Sequence, residues 1–303
     1  MADLTDFSLG RESGGSDGSF QRQESTFRDW VDQAAPGRYH LYVSYACPWA
    51  HRTLIVRRLR GLEDVVGVSV VDPYRDERGW AFTGGEYVDA VNGFRFLSEA
   101  YAATDPSFDG RWSVPVLWDR QAGRIVNNES ADIVRMLNRW GTAGTDLEPP
   151  DLGGEIDAIN AVVYDNVNNG VYRAGFATSQ RAYEEAFAGL FATLADLDTR
   201  LAGQRFLVGD RLTLADIRLF TTLVRFDAVY HTHFKCNGHR LIEYPSLWPY
   251  ARSVYQLRGV AETVRMDEIK RHYYTTHEML NPSRIVPLGP LDMDWDEPHG
   301  RAD

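Results

Sequence analysis

The sequence is poor in lysine and carries an excess of acidic side chains. Two lysines, Lys235 and Lys270, occur among 32 basic residues, and 43 acidic residues give a formal net charge of −11 at pH 7. A nucleic-acid surface needs clustered Lys and Arg in excess of the neighbouring acids, so this balance argues against nucleic-acid binding. Small molecules or other proteins are the expected partners.

Long apolar runs and cysteine pairs are also missing. No stretch of about 18 apolar residues, the length of a membrane-spanning helix, is present. The first residues are acidic and rich in Gly and Ser, unlike a secretory signal. The two cysteines, Cys47 and Cys236, lie far apart and give no disulfide framework, which suits a reducing compartment. We therefore predict a soluble, cytoplasmic protein with two free thiols and no membrane partner.

The length of the chain predicts two domains, because domains usually contain about 150 residues and this chain has 303. Residues 1–36 lack periodicity and are predicted to form a mobile N-terminal arm, although Phe20, Phe27 and Trp30 could pack onto the body of the protein. Residues 37–145 are predicted to form the first domain and residues 151–278 the second, and residues 279–303 are expected to form a C-terminal tail.

The first domain has the pattern of a thioredoxin-like fold. A half-buried strand, a helix and a β-branched strand are predicted in succession, followed by a hairpin and a helix that begins with a Ser cap. These elements are predicted at residues 38–44, 50–60, 65–71, 113–118, 124–127 and Ser130–Trp140. Between Asp72 and Arg111 lies a long insertion, which at this length is typical of a functional cover.

The second domain is predicted to be entirely helical. Thr213–Asp216 forms a capping box at the start of an apolar run, which has a structural role in helix initiation. Four helices are predicted at residues 156–168, 182–202, 214–230 and 247–256. The predicted fold class is therefore α/β plus all-α.

Cys47 is the strongest candidate for a catalytic residue. It follows the first strand, and Pro48 suits the first turn of the helix after it. There the thiol faces the positive end of a helix, and nearby His51 and Arg52 are expected to add to the thiolate-favouring effect. Ala50 stands where a dithiol redox motif has its second cysteine. Cys47 is therefore predicted to act alone and to be released by an external thiol; a buried structural cysteine is the alternative.

Two further motifs predict binding of a peptide-like thiol. A cis Val114–Pro115 bond would turn the preceding backbone toward Cys47 and present its N–H and C=O groups to a ligand. In the segment that begins the next helix, Ser130 and the helix N-terminus can receive a carboxylate, while Glu129 takes an ammonium group. Together these groups fit a γ-glutamyl moiety, although Glu129 and Ser130 alone could serve only as a helix cap.

Several long segments resemble the glutathionyl-hydroquinone reductases, also called Xi-class glutathione transferases. The resemblance covers the chain from about residue 20 to its end. It is carried by SYACPWAHRTLIVR, the GW at Trp80, SVPVLWD, NNESADIVRMLN, NNGVYRAGFA, RFDAVYHTHFKCN, HYYTTHEMLNP and DEPHGR. It implies a thioredoxin-like domain followed by an all-helical glutathione-transferase domain. Tyr45 departs from the family pattern, in which a smaller aliphatic residue is expected.

The resemblance also implies an activity and its residues. The implied reaction removes glutathione from a hydroquinone thioether and releases hydroquinone and glutathione disulfide. The resemblance further implies quinone conjugates as substrates, glutathione as cosubstrate, no permanently bound cofactor, and a homodimer. The implied thiol-site residues are Cys47, Trp80, Arg111, Val114, Glu129 and Ser130, and the implied hydroquinone-side residues are Tyr172, Tyr230 and Tyr273.

Two segments imitate metal sites but are not predicted to bind metal. His231, His233, Cys236 and His239 are closely spaced, yet side chains at a helix end need not converge, and this segment matches the family as a unit. The acidic run 292–296 lacks the glycine and the glutamate of a calcium-binding loop.

Other functions remain open at this stage. A different Cys-type thiol transferase, or a dehydroascorbate or disulfide reductase, would share the thiol site. A non-catalytic interaction module with the same fold is a further alternative, against which the set Cys47, Glu129 and Ser130 argues. The thiol itself could be another low-molecular-weight thiol, since the Arg-rich composition is typical of organisms that use one.

Overall fold

A computed structural model describes residues 15–301, which form two compact units. The predictions for residues 1–14 and for the last two residues lie outside the described part of the chain. The first unit contains the described residues 22–144 and 263–276, and the second contains 15–21, 145–262 and 277–301. The chain thus enters the first unit twice, which the sequence-based division into consecutive domains did not anticipate.

A mixed sheet lies at the centre of the first unit. Its strands are β1 (Tyr39–Val43), β2 (Gly67–Val70), β3 (Val116–Asp119) and β4 (Arg124–Asn127), in the order β2-β1-β3-β4. Strand β1 pairs parallel with β2 and antiparallel with β3, and β4 is antiparallel to β3. Every residue of β1 is buried, whereas the alternating pattern predicted a half-buried strand; β1 is a central strand, and its two faces are both covered. This sheet confirms the predicted thioredoxin-like architecture.

Three helices accompany the sheet in the same part of the chain. They are α1 (Pro48–Leu59), α2 (Leu97–Thr104) and α3 (Ser130–Trp140). Helices α1 and α3 pack against each other. The bounds of α1 and α3 lie within two residues of the predicted ones, because Pro48 and the residues before Ser130 provide clear start signals.

The insertion that contains α2 is fixed to the sheet. The Tyr42 hydroxyl of β1 donates to Asp89 Oδ1 at 3.0 Å, and Asp89 also accepts backbone N–H groups of the same loop. Phe94 packs edge-on against Trp118 of β3, with ring centroids 5.8 Å apart. The loop therefore forms an ordered layer of the first unit.

Residues 22–31 of the arm contact β4 and α2, and the mobility of the arm remains a prediction. Asp29 N donates to Val126 O at 3.0 Å, and Arg28 bridges to Asn127, so the arm covers the outer edge of β4. Phe27 packs against Tyr101 of α2, with centroids 5.8 Å apart. An edge strand with unpaired backbone groups readily accepts such a segment.

The second unit is helical, as predicted. Its helices are α4 (Gly153–Val162), α5 (Gly170–Gly175), α6 (Gln180–Gly203), α7 (Leu214–Leu223), α8 (His231–His233) and α9 (Leu247–Tyr255). The capping box at α7 is confirmed, with Thr213 N donating to Asp216 Oδ2 at 2.8 Å. No helix within residues 15–301 is long and apolar enough to cross a membrane.

Two of the predicted α-helices end in π-helical turns instead. Val163–Asn168 follows α4, and Phe226–Tyr230 lies between α7 and α8. The Asn169 N–H donates to Tyr164 O, five residues earlier, at 2.9 Å. Periodicity near 3.6 residues does not separate a short π segment from the helix that contains it, and such segments are frequent at functional sites.

After α9 the chain returns to the first unit as α10 (Met266–Thr276). His272 Nδ1 donates to Pro73 O at 2.7 Å, and its ring stacks on Trp80 with centroids 4.9 Å apart. Arg75 N donates to Thr276 Oγ1 at 3.3 Å. Helix α10 is thus held by the segment that follows β2.

Candidate active site

Cys47 lies in the turn between β1 and α1 and is the N-cap residue of α1. Its backbone N–H donates to Ser44 O at 3.1 Å, and its carbonyl accepts the His51 N–H at 2.9 Å. The side chain is half-buried, and Sγ lies 3.5 Å from the carbonyl oxygen of Val114. The thiol is therefore accessible at the positive end of a helix, the environment in which a cysteine acts as a nucleophile.

The backbone that faces Cys47 comes from the loop before β3. The Val114–Pro115 peptide bond is cis, as the sequence predicts. The same loop is held by Tyr101 of α2, whose hydroxyl donates to Ser113 O at 2.8 Å and accepts the Ser113 N–H at 3.1 Å. Val114 therefore presents its backbone beside the thiol from a fixed position.

Glu129 and Ser130 lie at the start of α3. Glu129, not Ser130, is the N-cap, because its backbone is still extended while Ser130 is already helical. Its Oε1 accepts the Ala131 N–H at 2.9 Å. Ser130 is 3% exposed, and its Oγ accepts from Arg52 Nη1 of α1 at 3.3 Å. The Glu129 carboxylate is thus bonded to the helix N-terminus, where a negative charge is favoured.

The neighbours of Cys47 on α1 make their described contacts with groups other than the Cys47 thiol. His51 Nε2 lies 2.8 Å from Thr263 Oγ1, and His51 is completely buried. The Arg52 guanidinium lies over the Trp49 ring at 4.3 Å. Their predicted effect on the thiolate remains a prediction.

The remaining predicted thiol-site residues also belong to the first unit. Trp80 is 3% exposed, lies between the His272 ring and the Arg75 guanidinium, and donates no base or acid group of its own. The Arg111 backbone N–H donates to Gln23 Oε1 of the arm at 3.2 Å. The place of Trp80 and Arg111 in the thiol site remains a prediction, and the Arg111 backbone is bonded to a residue that the sequence did not single out.

The predicted hydroquinone-side tyrosines divide between the two units. Tyr172 of α5 and Tyr230 of the second π-helical segment lie together in the second unit, with ring centroids 6.0 Å apart, and Phe234 packs against both. Tyr273 of α10 belongs to the first unit, is 1% exposed and contacts the His272 ring. All three rings are buried.

The segment with closely spaced His and Cys residues is internally satisfied. His233 Nε2 lies 3.2 Å from His277 Nδ1, and burial lowers the pKa of His233 to about 4. Cys236 is fully buried, and burial raises the pKa of its thiol. His239 Nδ1 lies 3.4 Å from Glu243 Oε2. Within residues 15–301, no group of three or more His, Cys, Asp and Glu side chains is arranged to hold a metal ion.

Comparisons with known proteins agree with this geometry. Residues 46–140 match the glutathione S-transferase N-terminal domain family, and residues 180–253 match the C-terminal domain family. The glutathionyl-hydroquinone reductase YqjG of Escherichia coli is 50% identical over 94% of this chain and 92% of its own length. The glutathionyl-hydroquinone reductase PcpF of Sphingobium chlorophenolicum is 51% identical over 91% of each chain.

Solved structures extend the agreement to three dimensions. The glutathione-S-transferase Xi from Phanerochaete chrysosporium matches with a TM-score of 0.88 and 46% identity, over 92% of this chain and 95% of that one. The glutathione-bound structure of YqjG matches with a TM-score of 0.88 and 49% identity, over 91% of this chain and 96% of that one. The chain belongs to the Xi class of glutathione transferases.

Within this Xi-class transferase, sequence reasoning missed the part of the arm that bonds to two of the predicted thiol-site residues, Arg111 and Glu129. Gln23 bonds to Arg111, and the Ser25 hydroxyl donates to Glu129 Oε2 at 3.0 Å. Neither residue belongs to a periodic element or a catalytic motif. Two signals in the sequence pointed to the arm: its aromatic residues could pack onto the body, and the resemblance to the Xi class begins at about residue 20, before the first strand.

Tyr45 is the position at which this Xi-class chain departs from the expected pattern. Its ring lies under the Arg265 guanidinium at 5.4 Å, and burial raises the pKa of its hydroxyl. Arg265 also forms an ion pair with Glu268 of α10 at 3.3 Å. Tyr45 therefore packs toward the start of α10.

Proposed function

We propose that this protein reductively removes glutathione from glutathionyl-hydroquinones, with a second glutathione as reductant. The relatives named glutathionyl-hydroquinone reductases share about half of their residues with it over more than nine-tenths of the chain. The observation that carries the proposal is Cys47, a half-buried thiol at a helix N-terminus with Ala50 where a second redox cysteine would stand. Such a thiol is suited to a one-cysteine mechanism.

In the first step, the Cys47 thiolate attacks the sulfur atom of the bound conjugate. A sulfur–sulfur bond forms, and the bond between sulfur and the ring carbon breaks. The electron pair of that bond stays on the ring carbon, which takes up a proton, and the hydroquinone leaves. The ring is thereby reduced, and Cys47 is oxidised to a mixed disulfide with glutathione.

In the second step, the thiolate of another glutathione attacks the mixed disulfide. Glutathione disulfide leaves, and the Cys47 thiolate is restored. Over the cycle, the glutathionyl group of the conjugate and one free glutathione become glutathione disulfide. The electron pair of the broken carbon–sulfur bond stays on the ring carbon, which is thereby reduced. Cys236 takes no part in this scheme, because it is fully buried and burial raises the pKa of its thiol.

The proposed thiol site recognises the ammonium and carboxylate groups that share the α-carbon of the γ-glutamyl moiety. The Glu129 carboxylate receives the ammonium group, while Ser130 and the N-terminus of α3 receive the carboxylate. The backbone of Val114 pairs with the peptide part, with Trp80 and Arg111 beside the ligand. Holding the sulfur atom of the ligand in line with Cys47 corresponds to an effective concentration of about 10⁵ M or more. Positioning therefore supplies much of the acceleration of the sulfur-transfer step.

A ring carbon is a poor leaving group, so the first step also needs help on the hydroquinone side. We assign this role to the hydroxyl groups of Tyr172, Tyr230 and Tyr273. A hydroxyl that donates a hydrogen bond to a ring oxygen favours the keto tautomer, in which the carbon–sulfur bond is easier to cleave. General acid help of this kind contributes about 10²–10⁴-fold to a rate.

The decisive experiment combines product analysis with intact-protein mass spectrometry. Supplied with a glutathionyl-hydroquinone and glutathione, the protein should release hydroquinone and glutathione disulfide. Supplied with the conjugate alone, it should gain one glutathionyl unit on Cys47, and a reductant should remove it. A Cys47–Cys236 disulfide in place of this adduct would refute the one-cysteine scheme. Parallel reactions with other low-molecular-weight thiols test the choice of cosubstrate.

We also propose that the protein is a cytoplasmic homodimer, as the resemblance to the Xi class implies. Light scattering coupled to size-exclusion chromatography measures the mass in solution. A mass close to 34.3 kDa, that of one chain, would contradict the dimer. Fractionation of the source cells tests the location.

A further inference from the structure

Ser25 of the arm bonds directly to the proposed ammonium-binding carboxylate. Its Oγ donates to Glu129 Oε2 at 3.0 Å and also lies 3.3 Å from the carbonyl oxygen of Asn128, two acceptors for one hydroxyl proton. Ser25 and Glu129 are 104 positions apart in the sequence. A half-buried bond between residues this distant requires that the arm itself be held in place.

The backbone of the arm provides this support. Phe27 N donates to Asn128 Oδ1 at 3.1 Å, and Asn128 N donates to Phe27 O at 3.0 Å. The Asn128 side chain also donates to the Tyr101 hydroxyl at 3.2 Å. Ser25 thus lies two residues before Phe27, which exchanges two hydrogen bonds with Asn128, the residue that precedes Glu129.

The bonds to Glu129 leave room for a ligand. Oε1 accepts the Ala131 N–H at 2.9 Å and lies 3.4 Å from Ser130 Oγ, while Oε2 accepts from Ser25. A carboxylate offers about four acceptor positions in all, two on each oxygen. Oε2 thus keeps one position for a further donor, and the Ser25 bond fixes the plane of the carboxylate that presents it.

We propose that Ser25 is a positioning residue of the thiol site, whose hydroxyl holds the Glu129 carboxylate in the orientation that receives the ammonium group of glutathione. This inference rests on the proposed function of Glu129. A carboxylate held in its binding orientation loses less side-chain freedom when the ligand arrives, so binding is tighter than to a freely rotating side chain. The Ser25 hydroxyl should therefore strengthen the binding of glutathione by the same amount in the ground state and in the transition state.

The expected consequence is a change in affinity without a change in the chemical step. Ser25→Ala should weaken glutathione binding about 10-fold, as for the loss of one bond to a charged group, and raise KM for glutathione with kcat nearly constant. Ser25→Thr keeps the hydroxyl and should restore affinity to within about 3-fold. Thr26→Ala is the matched control, because Thr26 is the exposed neighbour on the same arm, and it should bind like the unchanged protein.

The test is isothermal titration calorimetry of the full chain with glutathione, which does not depend on the hydroquinone substrate. Glu129→Gln and the double variant Ser25→Ala/Glu129→Gln complete a cycle. If Ser25 acts through Glu129, the double variant should bind within about 2-fold of Glu129→Gln alone. An equal 10-fold loss from Ser25→Ala in both backgrounds would overturn the positioning role.

The remaining outcomes separate this inference from the proposed function. Weak binding by Glu129→Gln with unchanged binding by Ser25→Ala refutes the role of Ser25 and leaves the thiol site standing. Unchanged binding by Glu129→Gln refutes the ammonium-binding role of Glu129, and the role of Ser25 falls with it. Thermal unfolding of each variant, compared with Thr26→Ala, identifies any loss of affinity that comes from unfolding of the arm.

Discussion

Glu268 of α10 makes the stability of the first unit depend on pH near neutrality. Its side chain is 3% exposed and forms an ion pair with Arg265 at 3.3 Å. Burial raises the pKa of this carboxyl from 4.5 to about 7; Arg265 opposes the shift, and the carboxylates of Asp267, Glu86 and Asp72 add to it. Between pH 4.5 and about pH 7, the Glu268 carboxyl therefore keeps its proton in the folded protein, whereas the unfolded chain releases it.

The sign and size of the effect follow from these two pKa values. Because the folded value lies above the unfolded one, the stability contribution is fully present below pH 4.5 and is lost as pH rises through about 7. A shift of this size corresponds to about 3 kcal/mol when ionisation is complete. Between pH 5 and pH 8 the change should be about 2–3 kcal/mol, since part of the shift already acts at pH 5.

The substitution Glu268→Gln isolates this contribution, because glutamine has nearly the same shape and does not titrate. Its free energy of unfolding, relative to that of the unchanged protein, should rise by about 2–3 kcal/mol from pH 5 to pH 8. Urea unfolding followed by circular dichroism measures the difference, and hydrogen exchange of the α10 amides assigns it to this region. Glu77→Gln is the control, because Glu77 is an exposed carboxylate of the first unit and is not among the groups that shift the Glu268 pKa. A pH-independent difference for Glu268→Gln would refute the reasoning.

Three further predictions test the site and the second unit. Cys47→Ala should abolish hydroquinone release yet leave the urea midpoint nearly unchanged, because a small half-buried side chain fills little core volume; loss of cooperative unfolding would count against the assignment. Tyr172→Phe, Tyr230→Phe and Tyr273→Phe should each lower kcat for hydroquinone release about 10- to 10³-fold while sparing reduction of a simple mixed disulfide. If the variants slow both reactions equally, or slow neither reaction, the tyrosines serve only in packing and the proposed hydrogen bonds to the ring are wrong. Gly175→Ala should destabilise the second unit by about 1–3 kcal/mol, because its Cβ would overlap the Phe234 ring. Gly189→Ala, whose Cβ would meet Asn166 Oδ1 at 3.8 Å within α6, should be neutral or stabilising by urea unfolding.

The local elements of the fold could be predicted from the sequence because their signals lie within a few residues of each other. The alternation in β1, Pro48 after Cys47 and the Thr213–Asp216 box each report a local backbone preference, and the structure has the corresponding strand and helix starts. Ser130–Trp140 begins and ends as predicted, although Glu129 is its cap. The absence of a second cysteine at Ala50 was likewise readable directly from the chain.

The features that the sequence did not predict depend on residues far apart in the chain. The arm has no periodicity of its own, and its conformation follows from β4 and Asn128, about 100 positions later. The return of α10 to the first unit depends on contacts with the segment after β2, about 200 positions earlier.

The hydrogen bonds and the ionisation of individual side chains also depend on residues far apart in the chain. The sequence alone determined that Cys47 stands at the start of a helix and has alanine three positions later instead of a second cysteine, since both facts are local. That Ser25 bonds to Glu129, and that the Glu268 carboxyl has a pKa of about 7, only the tertiary structure decided. Burial and hydrogen-bond partners are set by which distant segments meet, and a side chain's ionisation responds to those surroundings rather than to its neighbours in the sequence.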